Sequence, residues 1–171
     1  MEQATGPSRS REERLEGLVK EYQRMLLKIC YVSLKDQDLA RDAVQETFLK
    51  AYKSMEGFRG ESSEKTWLIR IALNTCQSMK RGGWFRRIDR RMTPEDLPLA
   101  AGERDEEAID VMAAVMNLPR GHREAVTLYY WQHMTVQEIA QTLGVAQSTV
   151  SSWLKQARER LRTALEGRDQ A

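Results

Sequence analysis

The sequence predicts an all-α protein of two small helical domains joined by a flexible linker, the second ending in a helix-turn-helix. Three observations carry that expectation. Apolar residues recur at three- and four-residue spacing through most of the 171 residues, without a sustained alternation of strand period. The periodicity fades from about Phe85 to Arg104, where Pro94, Pro98 and Gly102 favour a linker. The stretch from Val136 to Trp153, VQEIAQTLGVAQSTVSSW, places apolar, small and glycine residues at the offsets that close two short helices onto a third. The expected parts are a first domain over 11–85, a linker over 86–105 and a second domain over 106–166.

Each element follows from its pattern. Leu15, Leu18, Val19, Tyr22, Met25, Leu26, Ile29 and Val32 line one face of a helix from about Arg11 to Leu34. Asp36 or Asp38 can cap the next helix, whose apolar stripe is Leu39, Ala43, Val44, Thr47, Phe48, Ala51, Tyr52 and Met55, and which Gly57 ends. Phe58 to Ser63 has loop chemistry. A third helix carries Trp67, Leu68, Ile71, Ala72, Thr75 and Met79 on one side and stops at Gly82-Gly83. After the linker, Ile109, Met112, Val115 and Met116 restart a helix that Leu118-Pro119 breaks. Another runs from about Gly121 to Trp131.

In the helix-turn-helix, Ile139, Leu143, Val145, Val150 and Trp153 are the closing apolar positions and Ala140 is small where helices cross. Gly144 permits a turn with positive φ. Thr135 with Glu138 three residues on matches a capping box. The second helix runs from about Gln147 to beyond Arg162 and leaves Gln147, Ser148, Thr149, Ser151, Ser152 and Lys155 outside. These hydrogen-bonding side chains suit base edges and phosphates, whereas Val150, Trp153 and Leu154 suit packing.

Composition narrows the classes. With 41% hydrophobic and 30% charged residues, the chain reads as a soluble helical protein. The first residues have no apolar core of signal-peptide length and no later run could span a bilayer, so no membrane insertion and a cytoplasmic location are expected. Cys30 and Cys76 fall in helical patterns and are expected to be buried free thiols. His122 and His133 lack partners at ligand spacing, so neither a metal nor another cofactor is expected. The net charge is only +2, but it is unevenly spread. Lys80, Arg81, Arg86, Arg87, Arg90 and Arg91 cluster beside Trp84 and Phe85, and Lys155, Arg158, Arg160 and Arg162 extend the last helix. A basic run is ordinarily a solvated face. Here two flank an acidic, proline-bearing segment, as two DNA-facing modules and a linker would.

The words DLARDAVQETFLKAYKSMEGFRGESSEKTWLIRIALNTCQSMKR, from Asp38 to Arg81, resemble the second conserved region of bacterial sigma factors of the extracytoplasmic function (ECF) group. LPRGHREAVTLYYWQHMTVQEIAQTLGV and STVSSWLKQARERL resemble the fourth region of the same group, in the right order and at the right separation. The resemblance implies a transcription initiation factor, not an enzyme. Such a factor binds core RNA polymerase, reads two promoter DNA elements, helps open the duplex and is commonly held inactive by an anti-sigma factor.

Residue by residue, Asp38, Asp42, Gln45 and Glu46 would dock on the clamp of core polymerase. Phe58, Arg59, Ser62, Ser63, Trp67, Arg70, Asn74, Lys80 and Arg81 would meet the −10 element, whose opening calls for a pocket, flat side chains and hydrogen-bond donors. Trp67 also has core spacing, and both readings stay open. Thr135, Gln147, Ser148, Thr149, Ser151, Ser152, Lys155 and Arg158 would read the −35 element, the N-terminal ones nearest the bases. The chain departs from the family pattern at Leu73, Ser78, Trp153 and Gln156, which weakens any transfer of promoter sequence. A compact free state that loosens on polymerase binding is expected. The rival is a stand-alone helix-turn-helix repressor or activator, which would need a dimer interface. A nucleic-acid enzyme would need a catalytic cluster that no spacing here supplies.

Overall fold

The computed structural model describes residues 10–82, 95, 97–99 and 101–168, and every regular element within them is helical. Local chemistry explains where each helix begins. Ser10 caps α1 (Arg11–Leu34), its hydroxyl accepting the Glu13 N–H, with Glu12 and Glu13 beside the positive helix end. Of the two candidate caps for α2 (Gln37–Ser54), Asp36 serves, accepting the Leu39 N–H at 2.9 Å. A 3-10 turn, Met55–Gly57, prolongs α2. Ser63 then caps α3 (Glu64–Arg81) and Asp105 caps α4 (Glu106–Met116).

The helix expected from Gly121 to Trp131 is composite: α5 (Arg120–Val126) continues as a π-helical turn, Thr127–Trp131. Thr135 and Glu138 form the expected capping box at the start of α6 (Val136–Leu143), with reciprocal bonds of 3.1 and 2.8 Å. Gly144 takes φ +68°, the left-handed turn its position requires, before α7 (Gln147–Glu166). Most of the expected linker over 86–105 lies outside the described residues. So do Trp84, Phe85, Arg86, Arg87, Arg90 and Arg91 of the first basic group.

Helices α1, α2 and α3 pack on one another around Leu26, Ile29, Val44, Leu68 and Ile69. Ala40, Ala43 and Ala72 are fully buried and allow close helix approach. Cys30 and Cys76 are buried free thiols that face each other between α1 and α3. Their mutual hydrogen bond and burial push the Cys30 thiol up. In the second half, Met112, Val115, Met116, Leu128, Ile139, Val150 and Leu154 form the core. Trp153 covers Gly121 so closely that a Cβ there would lie 2.7 Å from the indole, so this departure from the family pattern is a packing choice.

The two halves rest on each other, α1 against α5 and α3 against α6. The last turn of α1 has no basic residue of its own, and its free carbonyls lie at the negative end of a long helix. Arg123 of α5, only 5% exposed, supplies donors: Nε to Val32 O at 2.5 Å and Nη2 to Ser33 O at 3.2 Å. Its Nη1 donates to Leu118 O at 2.8 Å within its own half. Lys80 Nζ of α3 also donates to Ser33 O, at 2.6 Å. The neighbouring Glu124, equally buried, accepts from Ser33 Oγ at 2.6 Å and from Arg120 Nε at 3.0 Å. Farther along α1, Lys28 stands over the Trp131 ring and 4.0 Å from Glu103.

Crowding of cations has a titration consequence. Burial first, then the guanidiniums of Arg120 and Arg123, bring the Lys80 ammonium down from 10.5 to about 8 against the opposing charge of Glu124. Because the folded value lies below the unfolded one, the unfolded chain binds more protons between those two values. Lys80 therefore makes folding more favourable as pH rises from about 8 towards 10.5. Urea unfolding of the wild type and Lys80→Met at pH 7 and pH 9.5 checks this. The wild type is expected to gain stability relative to the variant at the higher pH; an equal change in both would refute it.

Candidate nucleic-acid interface

The last helix presents its expected reading residues to solvent. Gln147, Ser148, Ser151, Ser152, Lys155 and Arg158 are exposed and Thr149 is half-buried, while Val150, Leu154 and Ala157 turn inward. Residue Ala146 at the start of α7 gives no side-chain cap, so the first N–H groups of the helix keep their capacity to meet an anion. Two expected contacts have partners within the chain. Arg158 donates to Tyr130 Oη at 3.3 Å, and Ser152 Oγ accepts from Gln156, whose carbonyl oxygen lies 2.8 Å from His122 Nε2. Gln156 is thus committed to α5, which accounts for a second departure from the family pattern.

On α3, Arg70, Asn74, Ser78 and Arg81 follow one another at helical spacing along the outer stripe; Asn74 and Arg81 are exposed. Arg70 is half-buried, its guanidinium donating to Gln141 Oε1 at 3.0 Å and Thr142 Oγ1 at 3.4 Å of α6. Lys80 belongs instead to the stripe of Ile69, Leu73 and Cys76 and turns toward α1. Leu73, where the family often has an arginine, is buried.

The loop before α3 turns at Gly60, with φ +72°. Phe58 and Trp67 stack, ring centroids 4.6 Å apart at 27°, so one face of the indole is already covered. Arg59 is exposed and Ser62 half-buried. The Ser63 hydroxyl caps α3, accepting the Thr66 N–H at 3.1 Å, and so has a structural duty at this position.

Asp38, Asp42, Gln45 and Glu46 are all exposed and line one face of α2. Leu49 prolongs that face and is 55% exposed, an apolar residue that the sequence pattern alone did not single out. Also missed were Arg123, Glu124 and Lys65, the last donating to Gln132 O at 3.4 Å. Among the described residues no group of His, Cys, Asp and Glu could hold a metal ion, and no helix is long and apolar enough to cross a membrane.

Comparison with known proteins agrees with this arrangement. Residues 18–86 match the Sigma-70 region 2 family and residues 108–161 match Sigma-70, region 4. The chain is 32% identical over 163 residues to the RNA polymerase sigma-H factor of Pseudomonas aeruginosa, covering 87% of this chain and 84% of that one. It is 32% identical over 172 residues to the ECF RNA polymerase sigma-E factor of Haemophilus influenzae, covering 87% and 86%. The fold is shared with RpoE of Bartonella quintana, solved in complex with the anti-sigma factor NepR. That match has 23% identity, TM-score 0.74, and covers 90% of this chain and 97% of that one. It is also shared with CnrH, solved with the cytosolic domain of CnrY, at 24% identity, TM-score 0.66, and coverage of 91% and 90%. With both regions in order and relatives aligned along most of their length, the chain belongs to the ECF group of the sigma-70 family and is a transcription initiation factor.

Proposed function

We propose that three separate surfaces divide the work of initiation. The observation that carries the proposal is the outward array on α7, where hydrogen-bonding and basic side chains stand on an uncapped helix start while the apolar residues turn inward. Gln147, Ser148, Thr149 and Ser151 read base edges of the −35 element, and Ser152, Lys155, Arg158 and Thr135 hold its phosphates. The −10 element is opened against α3. Asn74, with an amide that both donates and accepts, reads a base there. Phe58, Arg59, Ser62, Ser63 and Trp67 form the receiving site, and Arg70 and Arg81 supply positive charge; Lys80, expected beside them, is turned instead to Ser33 O at the end of α1. Core RNA polymerase docks on the Asp38, Asp42, Gln45 and Glu46 face of α2, with exposed Leu49 as its apolar anchor.

The protein works in the cytoplasm and supplies recognition and strand separation, the chemistry being that of the polymerase. A proteinaceous inhibitor of the anti-sigma class is the proposed regulatory partner. The presence of such inhibitors in solved neighbours supports this reading.

Transcription of genomic DNA by purified core polymerase, with 5′ ends sequenced, tests the division. The protein is expected to create start sites that share two upstream motifs. Gln147→Ala with Ser148→Ala blurs the distal motif alone, and Asn74→Ala the proximal one alone. New starts without shared motifs, or motifs indifferent to these substitutions, would contradict it.

The docking face has its own test. Asp42→Lys with Leu49→Lys is expected to weaken binding to core polymerase by about tenfold or more, with the melting temperature unchanged because both residues are exposed. Unchanged affinity in a titration of labelled protein with polymerase would remove α2 from the docking surface.

A further inference from the structure

We infer that His122 and Gln156 are positioning residues for promoter binding: a chain of hydrogen bonds from α5 through Gln156 fills the acceptor side of the Ser152 hydroxyl and aims its proton at a phosphate oxygen of the −35 element. The inference rests on the −35 role proposed for α7 and adds to it the device that fixes the polarity of one contact.

The chain is built from residues particular to this sequence, among them Trp153 and Gln156, two departures from the family pattern. Trp153 lies over Gly121, where a Cβ would come within 2.7 Å of the indole. Its ring stands 5.8 Å from that of His122, tilted by 33°. His122 is thereby seated, half-buried, with Nε2 at 2.8 Å from Gln156 Oε1. Gln156 Nε2 donates in turn to Ser152 Oγ at 3.2 Å, one helical turn back along α7.

The direction of the chain follows from what each group can give and take. An imidazole that carries a proton on Nε2, as in its ordinary neutral tautomer and in its cation, donates there. The Gln156 carbonyl oxygen therefore faces the ring, and the amide N–H faces Ser152. A hydroxyl that accepts from an amide keeps its one proton to give. Elsewhere in the protein such protons are spent inside the helix: Thr47, Ser54, Thr75, Thr127, Thr142 and Thr163 each donate to the carbonyl four residues earlier. Among the described residues Ser152 makes no such bond, so its proton is left for solvent or DNA.

Its place suits a backbone contact. Ser152 and Gln156 are exposed on the outer side of α7 with Ser148 and Lys155, while Val150, Leu154 and Ala157 are buried on the other. A phosphate oxygen only accepts. A hydroxyl free to rotate must give up its other orientations to serve it, whereas one already filled on its acceptor side meets the phosphate without that cost.

The test is binding of the protein, assembled with core polymerase, to a duplex carrying both motifs of a mapped start site. Ser152→Ala is expected to weaken binding about fivefold. Gln156→Ala, and His122→Phe, which keeps a ring against Trp153, weaken it about threefold, and neither has any further effect in a Ser152→Ala background. Because Ser152 is uncharged, all three variants keep the wild-type slope of log affinity against log salt, whereas Lys155→Met lowers it by about 0.9. Gln156 is exposed, so Gln156→Ala keeps the wild-type melting temperature and carries the test should His122→Phe fold poorly. A scan with single neutral methylphosphonate linkages finds one position in the distal motif that weakens the wild type more than Ser152→Ala.

Unchanged affinity in Gln156→Ala and His122→Phe, beside a weakened Ser152→Ala, would overturn the chain and leave Ser152 a contact on its own. Losses that persist in the Ser152→Ala background would overturn it as well, and a scan without such a position would remove phosphate as the acceptor. Full affinity in Ser152→Ala and in Gln147→Ala with Ser148→Ala would instead remove α7 from the −35 element, and this inference with it.

Discussion

The carbonyls at the end of α1 are the constraint on which the arrangement of this protein turns. A 24-residue helix ends with oxygens that carry the negative end of its dipole, and its own last turn provides no cation. Two cations come from elsewhere: Lys80 from α3, which closes the first half on itself, and Arg123 from α5, which brings the second half against it. Burying two positive groups at one point is costly. The cost is moderated by Glu124, which answers Arg120 and the Ser33 hydroxyl, and shows in the Lys80 ammonium brought down to about 8.

From that junction follows the unequal state of the two DNA-facing surfaces. With α5 anchored, α6 lies on α3 and takes the Arg70 guanidinium, while α7 looks away. The helix-turn-helix fixes this second orientation internally. The capping box sets the start of α6, the left-handed Gly144 sets the turn, and Trp153 packed over Gly121 fixes α7 against α5. Residues that left the family pattern on α7, Trp153 and Gln156, are those engaged with Gly121 and His122. Charge lost from the reading helix is exchanged for a firmer seat.

Much of this was legible in the sequence because it is local. Caps, the turn glycine and the apolar stripes depend on residues within a few positions of one another, so Thr135, Glu138 and Gly144 announced their roles. The π-helical continuation of α5 was not legible, since its residues differ little from those of an ordinary helix. Nor was the junction between the halves. Arg123 and Glu124 meet partners about 90 positions away, in a helix of seven residues, Arg120–Val126, too short to show a polar face. One signal was available: Lys80 stands four residues after Cys76 and seven after Leu73, on the buried stripe of α3 rather than on the outer stripe of Asn74. Leu49 was likewise hidden, because an apolar residue beside a core stripe reads as core until the helix is seen packed.

The most direct measurement of the central claim is a double-mutant cycle on Ser33→Ala and Glu124→Ala in the full chain, followed by urea unfolding. A hydrogen bond of 2.6 Å to a buried carboxylate across the junction gives a coupling energy of about 1–3 kcal/mol. Additivity of the two substitutions to within about 0.5 kcal/mol would mean that the halves do not meet through this junction in solution.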